Sequence, residues 1–310
     1  MWDMTATHIT IVMDLIDNIV TEDRKRKYSN SLIVKILVLL QMYRISYRSS
    51  RDFLLNHPDI MNEAGITSIP DFRTLSRRAR RIDWHLINAI FIDLILTEHE
   101  NSAIDSFIVK TCKQSTASRR RIYCSYKDEE SSWGFSTKGW EYGKKVHVSL
   151  DIDSTAVVEW EITTASVSDK NIAFSLIYSV RNYEFIMMDK AYDSSDIYEY
   201  IFNNTHSSPL IDTNRRRGIV EERLSSARKN GIEIRKMESS RYSLRWEIER
   251  TFAILEDILN CEYIWFARNR NYDVSISMKI VVYNIIIILN QTYSRPKRQI
   301  MDFVVVRSPP

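Results

Sequence analysis

Glycine and proline are both scarce in this chain, six of each among 310 residues. That scarcity argues against long flexible linkers. Cysteine is scarcer still: Cys112, Cys124 and Cys261 are irregularly spaced, with no Cys-x-x-Cys. Neither a disulfide framework nor a zinc site is expected, and a reducing compartment is. Neither sign of charge is in large excess, and a net charge of +3 implies no partner by itself. Met1-Trp2-Asp3-Met4-Thr5 lacks the basic-then-apolar pattern of a signal peptide. The apolar run 280–289 is too short to span a bilayer and contains Asn284, so it reads as a buried helix or strand. These absences point to a soluble, cytoplasmic protein with no membrane partner. No internal repeat or low-complexity segment stands out.

What is present is unevenly distributed. The length allows two domains, or one large domain with an appendage. Basic residues cluster at Arg24-Lys25-Arg26-Lys27, at 73–81, at Arg119-Arg120-Arg121 and at Arg215-Arg216-Arg217. Clustered base in a near-neutral chain suits phosphate contact, although any one cluster alone reads equally as a solvated helix face. Residues 1–100 read as helical. A helix over 7–21 carries Ile11, Leu15, Ile16 and Ile19 on one side. A second over 32–43 is apolar enough to be buried, with Ser29 or Ser31 as its cap. A third covers 49–56, and Pro58 closes that segment. Pro70-Asp71 starts a short helix crowded with Arg73, Arg77 and Arg78. Residues 49–81 fit a helix-turn-helix with 72–81 as recognition helix, and fit equally a small helical lobe with a basic surface. A further amphipathic helix covers 84–97.

From residue 101 the pattern becomes mixed. Strands are expected at 104–110, 145–151, 156–163, 185–189 and 209–212, and helices at 169–180 and 194–202. A polar loop runs through Trp133 and Trp140, and Asp153-Ser154-Thr155 makes a hairpin turn. Three meander strands followed by crossover units give an α/β fold, a mixed five-stranded sheet flanked by helices. Ser168 or Asp169 caps the helix at 169–180, and the loop before it suits a site-lining polar residue, with a simple cap the favoured role for Asp169.

Three acids stand out. Asp105 interrupts an apolar strand-like run and Asp189 ends another, where aspartate is a poor strand former and an unpaired buried carboxylate is costly. Glu249 lies on an amphipathic helix, where it also reads as a surface residue paired with Arg245 at i, i+4. There Tyr242, Arg245 and Glu249 fall at i, i+3 and i+7 on one face, beside an apolar stripe of Leu244, Ile248, Phe252, Leu255 and Leu259. Three carboxylates within ~4 Å repel by ~1 kcal/mol per pair in water and ~4 kcal/mol at an effective dielectric of 20. A divalent metal reverses that sign, and an oxygen-rich site suits magnesium or manganese. Asp193 rivals Asp189, and Glu247 is the weaker neighbour of Glu249. His147 reads as a structural or phosphate-contacting residue, since no second histidine stands at ligand spacing.

Asp105 in the first strand, Asp189 in Asp-Lys-Ala-Tyr-Asp and Glu249 in Tyr-x2-Arg-x3-Glu resemble the DDE transposases of bacterial and archaeal insertion sequences. The likeness runs from about residue 101 to 290. It includes the segment Tyr142-Gly143-Lys144-Lys145-Val146-His147, then Pro209-Leu210-Ile211, and the late Phe266-Ala267-Arg268-Asn269-Arg270. The resemblance implies a ribonuclease-H-like catalytic domain over 101–292, a helical DNA-binding region over 1–100 and a tail over 293–310. It implies that Asp105, Asp189 and Glu249 bind two Mg2+ or Mn2+ ions, one activating the attacking water or 3′-hydroxyl and the other stabilising the leaving oxygen. It implies that Tyr242, Arg245, Lys145, His147, Arg73, Arg77 and Arg78 contact DNA. The implied partners are the element's terminal inverted repeats and target DNA, met by a homodimer in the nucleoid. One position departs from the family, which often places lysine seven residues after the glutamate. Here that residue is Glu256, with Arg250 or Lys279 as possible substitutes. The alternatives are a transposase-derived DNA-binding protein that no longer cuts, and a structure-selective nuclease.

Overall fold

The computed structural model describes residues 6–20, 26–95, 100–118, 130–136, 138–214, 224–262, 271–301 and 303–304. Arg24, Lys25, the arginines at 119–121 and 215–217, Cys124 and the segment 266–270 lie outside the described residues. The chain divides into two compact units, one of residues 1–95, 257–259 and 270–310, the other of residues 96–256 and 260–269.

The first unit is helical: α1 (Ala6–Ile19), α2 (Asn30–Met42), α3 (Ser50–Asn56), α4 (Pro58–Glu63), α5 (Phe72–Ala79) and α6 (Trp84–Ile95). In α1 the buried face is Ile9, Val12, Met13 and Ile16, an i, i+3, i+4, i+7 stripe. Of the expected stripe Ile11, Leu15, Ile16 and Ile19, only Ile16 is fully buried, and the other three are half-buried. Ser29, rather than Ser31, caps α2 by accepting from the Leu32 N–H at 3.0 Å. Ser31 instead donates to Asp17, which also pairs with buried Lys35. Pro58 opens α4 rather than closing the preceding segment, because its fixed φ suits the first helical position. Asp71 caps α5 by accepting from the Arg73 N–H at 2.9 Å.

The second unit carries the sheet. Its strands are β1 (Asn101–Lys110), β2 (Ser132–Ser136), β3 (Gly139–Asp151), β4 (Val157–Thr164), β5 (Phe185–Met188) and β6 (Ser208–Ile211). The sheet has six strands in the order β2-β3-β1-β5-β6, with β4 also paired to β3. The expectation of five strands missed β2. Its residues read as polar loop, but they pair antiparallel with the start of β3, Trp133 opposite Tyr142. β1 runs antiparallel to β3 and parallel to β5, and β5 parallel to β6, so the sheet is mixed. Gly143 lets β1 and β3 close: a Cβ there would stand 2.0 Å from the Val109 carbonyl oxygen. The β3–β4 turn is pinned by Asp151, whose Oδ1 accepts from Ser154 N–H at 2.5 Å and Ser154 Oγ at 2.6 Å.

Helices cover both faces. After the short α7 (Gln114–Ala117), α8 (Asp169–Ser179) and α9 (Ser195–Asn204) pack on the face that carries Ile104, Ile186 and Met188, with Leu176, Ile177, Tyr198 and Ile201 buried in that layer. α10 (Ser226–Met237) follows, in a segment whose polarity had hidden a helix. The stretch expected as one helix around 241–250 is three pieces: α11 (Ser239–Tyr242), a 3₁₀ turn (Ser243–Arg245) and α12 (Trp246–Ala253), followed by a π turn (Ile254–Ile258). Phe252 of α12 meets Phe107 of β1, with ring centroids 4.7 Å apart. Side chains alternate along a strand, so α12 faces the Asp105–Phe107 side of the sheet, opposite α8. Of the expected stripe, Ile248, Phe252, Leu255 and Leu259 are buried, and Leu244 is exposed.

α13 (Tyr272–Thr292) returns to the first unit, packing on α6 and α2. It contains the apolar run 280–289 and is, by length and composition, long enough to cross a membrane. Here it is mostly buried within its unit, and Asn284 donates to Asn88 at 2.6 Å.

Candidate active site

Asp105 is delivered by the middle of β1, and Asp189 by the residue after β5, which pairs with β1 in parallel. Glu249 comes from the first turn of α12. Arg245 bridges two of the three: Nη1 donates to Asp105 Oδ2 at 2.8 Å and Nη2 to Glu249 Oε1 at 2.5 Å. The break in the helix leaves the Tyr242-Arg245-Glu249 face intact. Tyr242 Oη donates to the Met188 carbonyl at 3.1 Å, one residue before Asp189, while Arg235 stacks on its ring at 3.5 Å. Burial pushes the Tyr242 hydroxyl up to about 12.

Asp105 feels Asp189. Burial first, then the charge of Asp189, pushes the Asp105 carboxyl up to about 7, against the Ser106 N–H and Arg245, which pull it down. Burial also raises Asp189, whose Oδ1 accepts from the Ala191 N–H at 2.7 Å. Tyr192 is fully buried, its hydroxyl has no hydrogen-bond partner among the described residues, and it feels the charges of Asp105, Asp169 and Asp189. The other acids are accounted for. Asp193 is locked to Arg228 and accepts from the Asn214 N–H at 2.8 Å. Glu247 accepts from Arg250 Nη1 at 2.8 Å.

Asp169 is more than a cap. Ser168 holds the cap position, and the Asp169 carboxylate gathers Ser106 Oγ at 2.7 Å, His147 Nδ1 at 3.2 Å and Lys145 Nζ at 3.3 Å. Burial would raise it, but His147, Ser106 and Lys145 outweigh that and hold it at about 2. Lys145 and His147 therefore lie in this cluster, on the α8 side of the sheet. His147 is buried, and its Nε2 is 2.9 Å from Thr163 Oγ1. Ser106 connects the cluster to the acids: its N–H donates to Asp105 Oδ1 at 2.8 Å. Sequence spacing offered no signal for this link beyond the polar residue following Asp105.

Glu256 is paired with Lys138 of the β2–β3 hairpin at 3.2 Å. Of the two suggested substitutes, Arg250 bonds Glu247 and Lys279 donates to the Leu259 carbonyl. In the helical unit Arg73 and Arg77 are exposed on α5. Arg78 is buried and donates to the Tyr28 carbonyl at 3.1 Å and to Asn30. Its fork is spent on the unit's interior rather than on an open surface.

Among the described residues, no group of three or more His, Cys, Asp or Glu side chains is disposed to hold a metal ion. The donor chemistry nonetheless fits a hard divalent cation. Asp105, Asp189 and Glu249 offer only carboxylate oxygens, two of them with raised pKa values. Arg245 stands among them as the neutralising charge.

Residues 97–285 match the family described as Transposase DDE domain. Among solved structures, the chain is similar to a piggyBac transposase in a cryo-EM structure of its synaptic complex with hairpin DNA. The TM-score is 0.49 and the identity 12%, covering 98% of this chain and 78% of that one. No curated protein matches the sequence.

Proposed function

We propose, since this chain belongs to the transposase DDE-domain family, that it cuts and joins DNA at the ends of its own insertion sequence. Asp105, Asp189 and Glu249 are the catalytic acids in this reading. The observation that carries it is the single Arg245 bridge between Asp105 and Glu249, with Asp189 close enough to raise Asp105. Acids 144 residues apart in sequence, Asp105 and Glu249, share one guanidinium.

DDE transposases typically use divalent metal ions, and here Asp105, Asp189 and Glu249 would hold two Mg2+ or Mn2+. When bound, such ions supply an activated nucleophile and charge stabilisation at the leaving oxygen. The chain's own residues do the rest. Met188 anchors Tyr242 beside the acids, and Arg245 has the planar fork that suits a phosphodiester. Ser106 steadies Asp105 from behind. Substrates are the terminal repeats and target DNA in the nucleoid, held by a homodimer, with residues 1–100 as the DNA-binding region and 101–292 as the catalytic domain. The pairing of Glu256 with Lys138 balances its charge, which supports an active enzyme over a DNA-binding relic.

The test is a strand-nicking assay on DNA carrying the sequences that flank this coding region, with and without Mg2+. Magnesium-dependent nicks with 3′-hydroxyl ends are expected, followed by strand joining. Nicking without joining would favour a nuclease. Tight binding without nicking under any metal would leave only the DNA-binding reading.

A further inference from the structure

Arg245 is occupied inside the acid cluster. Its Nη1 is 2.8 Å from Asp105 Oδ2 and its Nη2 2.5 Å from Glu249 Oε1. The Arg245 side chain is 17% exposed and that of Asp105 21%, so water does little to weaken that half of the bridge, while Glu249, 39% exposed, holds the outer, more screened half. A guanidinium carries only donors and keeps its charge at any physiological pH. It cannot share a carboxylate oxygen's inward face with another cation. Its two hydrogen bonds place a positive charge between Asp105 and Glu249.

We propose that Arg245 is a resident counter-cation of the acid cluster: a divalent cation displaces it, and a DNA phosphate captures the displaced guanidinium. Metal and DNA then bind cooperatively through one side chain. This rests on the reading of Asp105, Asp189 and Glu249 as the metal-holding acids.

Without DNA, an incoming cation must break two charge-assisted hydrogen bonds and release a guanidinium with no equivalent acceptor. A phosphodiester offers that acceptor, two oxygens matched to the same fork. The cost of vacating the acids therefore falls when DNA is present. By reciprocity a bound cation strengthens DNA binding by the same factor. The pivot is in place. Arg245 ends the 3₁₀ turn Ser243–Arg245, between α11 and α12, while Tyr242, three residues earlier, is fixed by Met188 and Arg235. The guanidinium can swing while the backbone beneath it stays anchored.

The test is calorimetric titration of the full chain with Mn2+, alone and with a saturating short duplex of random sequence at low salt. Wild type, Arg245→Gln, Arg245→Lys and Asp105→Ala are compared. Without DNA, Arg245→Gln should bind Mn2+ roughly tenfold tighter than wild type. With DNA, wild type should gain a factor of similar size and Arg245→Gln almost none. Arg245→Lys, which keeps a charge but cannot bridge both acids, should fall between and serves if the glutamine variant does not fold. Equal Mn2+ affinity in wild type and both Arg245 variants, or the same DNA-induced gain in all three, would overturn the inference. Asp105→Ala separates the two failures. If it binds Mn2+ as wild type does, the metal-holding reading itself is wrong; if it loses Mn2+ while the Arg245 variants behave as wild type, only the counter-cation role is lost.

Discussion

Arg228 grips Asp193 with two hydrogen bonds, Nε to Oδ1 at 2.8 Å and Nη2 to Oδ2 at 2.6 Å, and the Asp193 side chain is wholly out of solvent. This pair gives Asp193 of Asp189-Lys190-Ala191-Tyr192-Asp193 a structural partner. Asp193 ties the turn after β5 to α10, and Asp189 is left to the acid cluster. Removing one partner of a buried pair leaves a charge uncompensated. Asp193→Ala should therefore lose about 3 kcal/mol or more of stability in urea unfolding. Asp189→Ala should lose less, on the order of 1 kcal/mol, because it removes the cap on the Ala191 N–H together with a carboxylate whose charge burial disfavours.

The raised Asp105 carboxyl makes a prediction with a definite sign. Its pKa is near 7 folded against an ordinary value of 3.8. Between those values the folded chain holds a proton that the unfolded chain has released, so stability falls as pH rises from about 4 to 7 and levels off above. Asp105→Asn removes this contribution. Thermal melts across that range, without divalent metal, should show wild type losing stability relative to Asp105→Asn as pH increases. Parallel curves would contradict the assignment.

The arginines of α5 divide into two kinds. Arg78 is buried on Tyr28 and Asn30, so Arg78→Ala should lose about 1–3 kcal/mol of stability by leaving those acceptors unsatisfied. Arg73 and Arg77 are exposed. Their alanine variants should unfold like wild type but bind duplex DNA more weakly, each reducing the salt dependence by about one counterion. Fluorescence anisotropy at several salt concentrations, beside urea melts, separates the two effects.

Gly143 faces the Val109 carbonyl where β1 meets β3, with no room for a Cβ. Gly143→Ala must push the two central strands apart, at a cost of roughly 1–3 kcal/mol. Gly139 has open space around it, but its φ of +103° strains any other residue. Gly139→Ala should therefore cost less, on the order of 1 kcal/mol. Urea unfolding of the pair compares a clash with a purely conformational penalty.

Much of this architecture is legible in the sequence because it follows apolar periodicity. β1, β3, β4, β5 and β6 and the buried face of α12 all show it, and the cap at Asp71 follows from its capping chemistry instead. The misses have physical causes. β2 is short and carries polar residues at both ends, and α10 holds so much charge that only Gly231 is buried. The interruption of the helix at Ser243–Arg245 has no proline or glycine to announce it. The site is legible where composition conflicts with environment, as with an aspartate inside an apolar strand. It is not legible where partners are distant in sequence: Lys138 reaches Glu256 across 118 residues and Arg78 reaches Tyr28 across 50. Asp169 looked like an ordinary cap because its partners Ser106, Lys145 and His147 come from two other strands.

The convergence of Asp105, Asp189 and Glu249 on one reacting centre is tested most directly by a mutant cycle on Mg2+-dependent nicking. Groups that act as a unit are strongly non-additive. Asp105→Asn and Glu249→Gln should each reduce the nicking rate by about a thousandfold or more, and the double variant should be no slower than the worse of the two. Losses that multiply in the double variant, or a single variant that nicks at the wild-type rate, would mean that these acids do not share one centre.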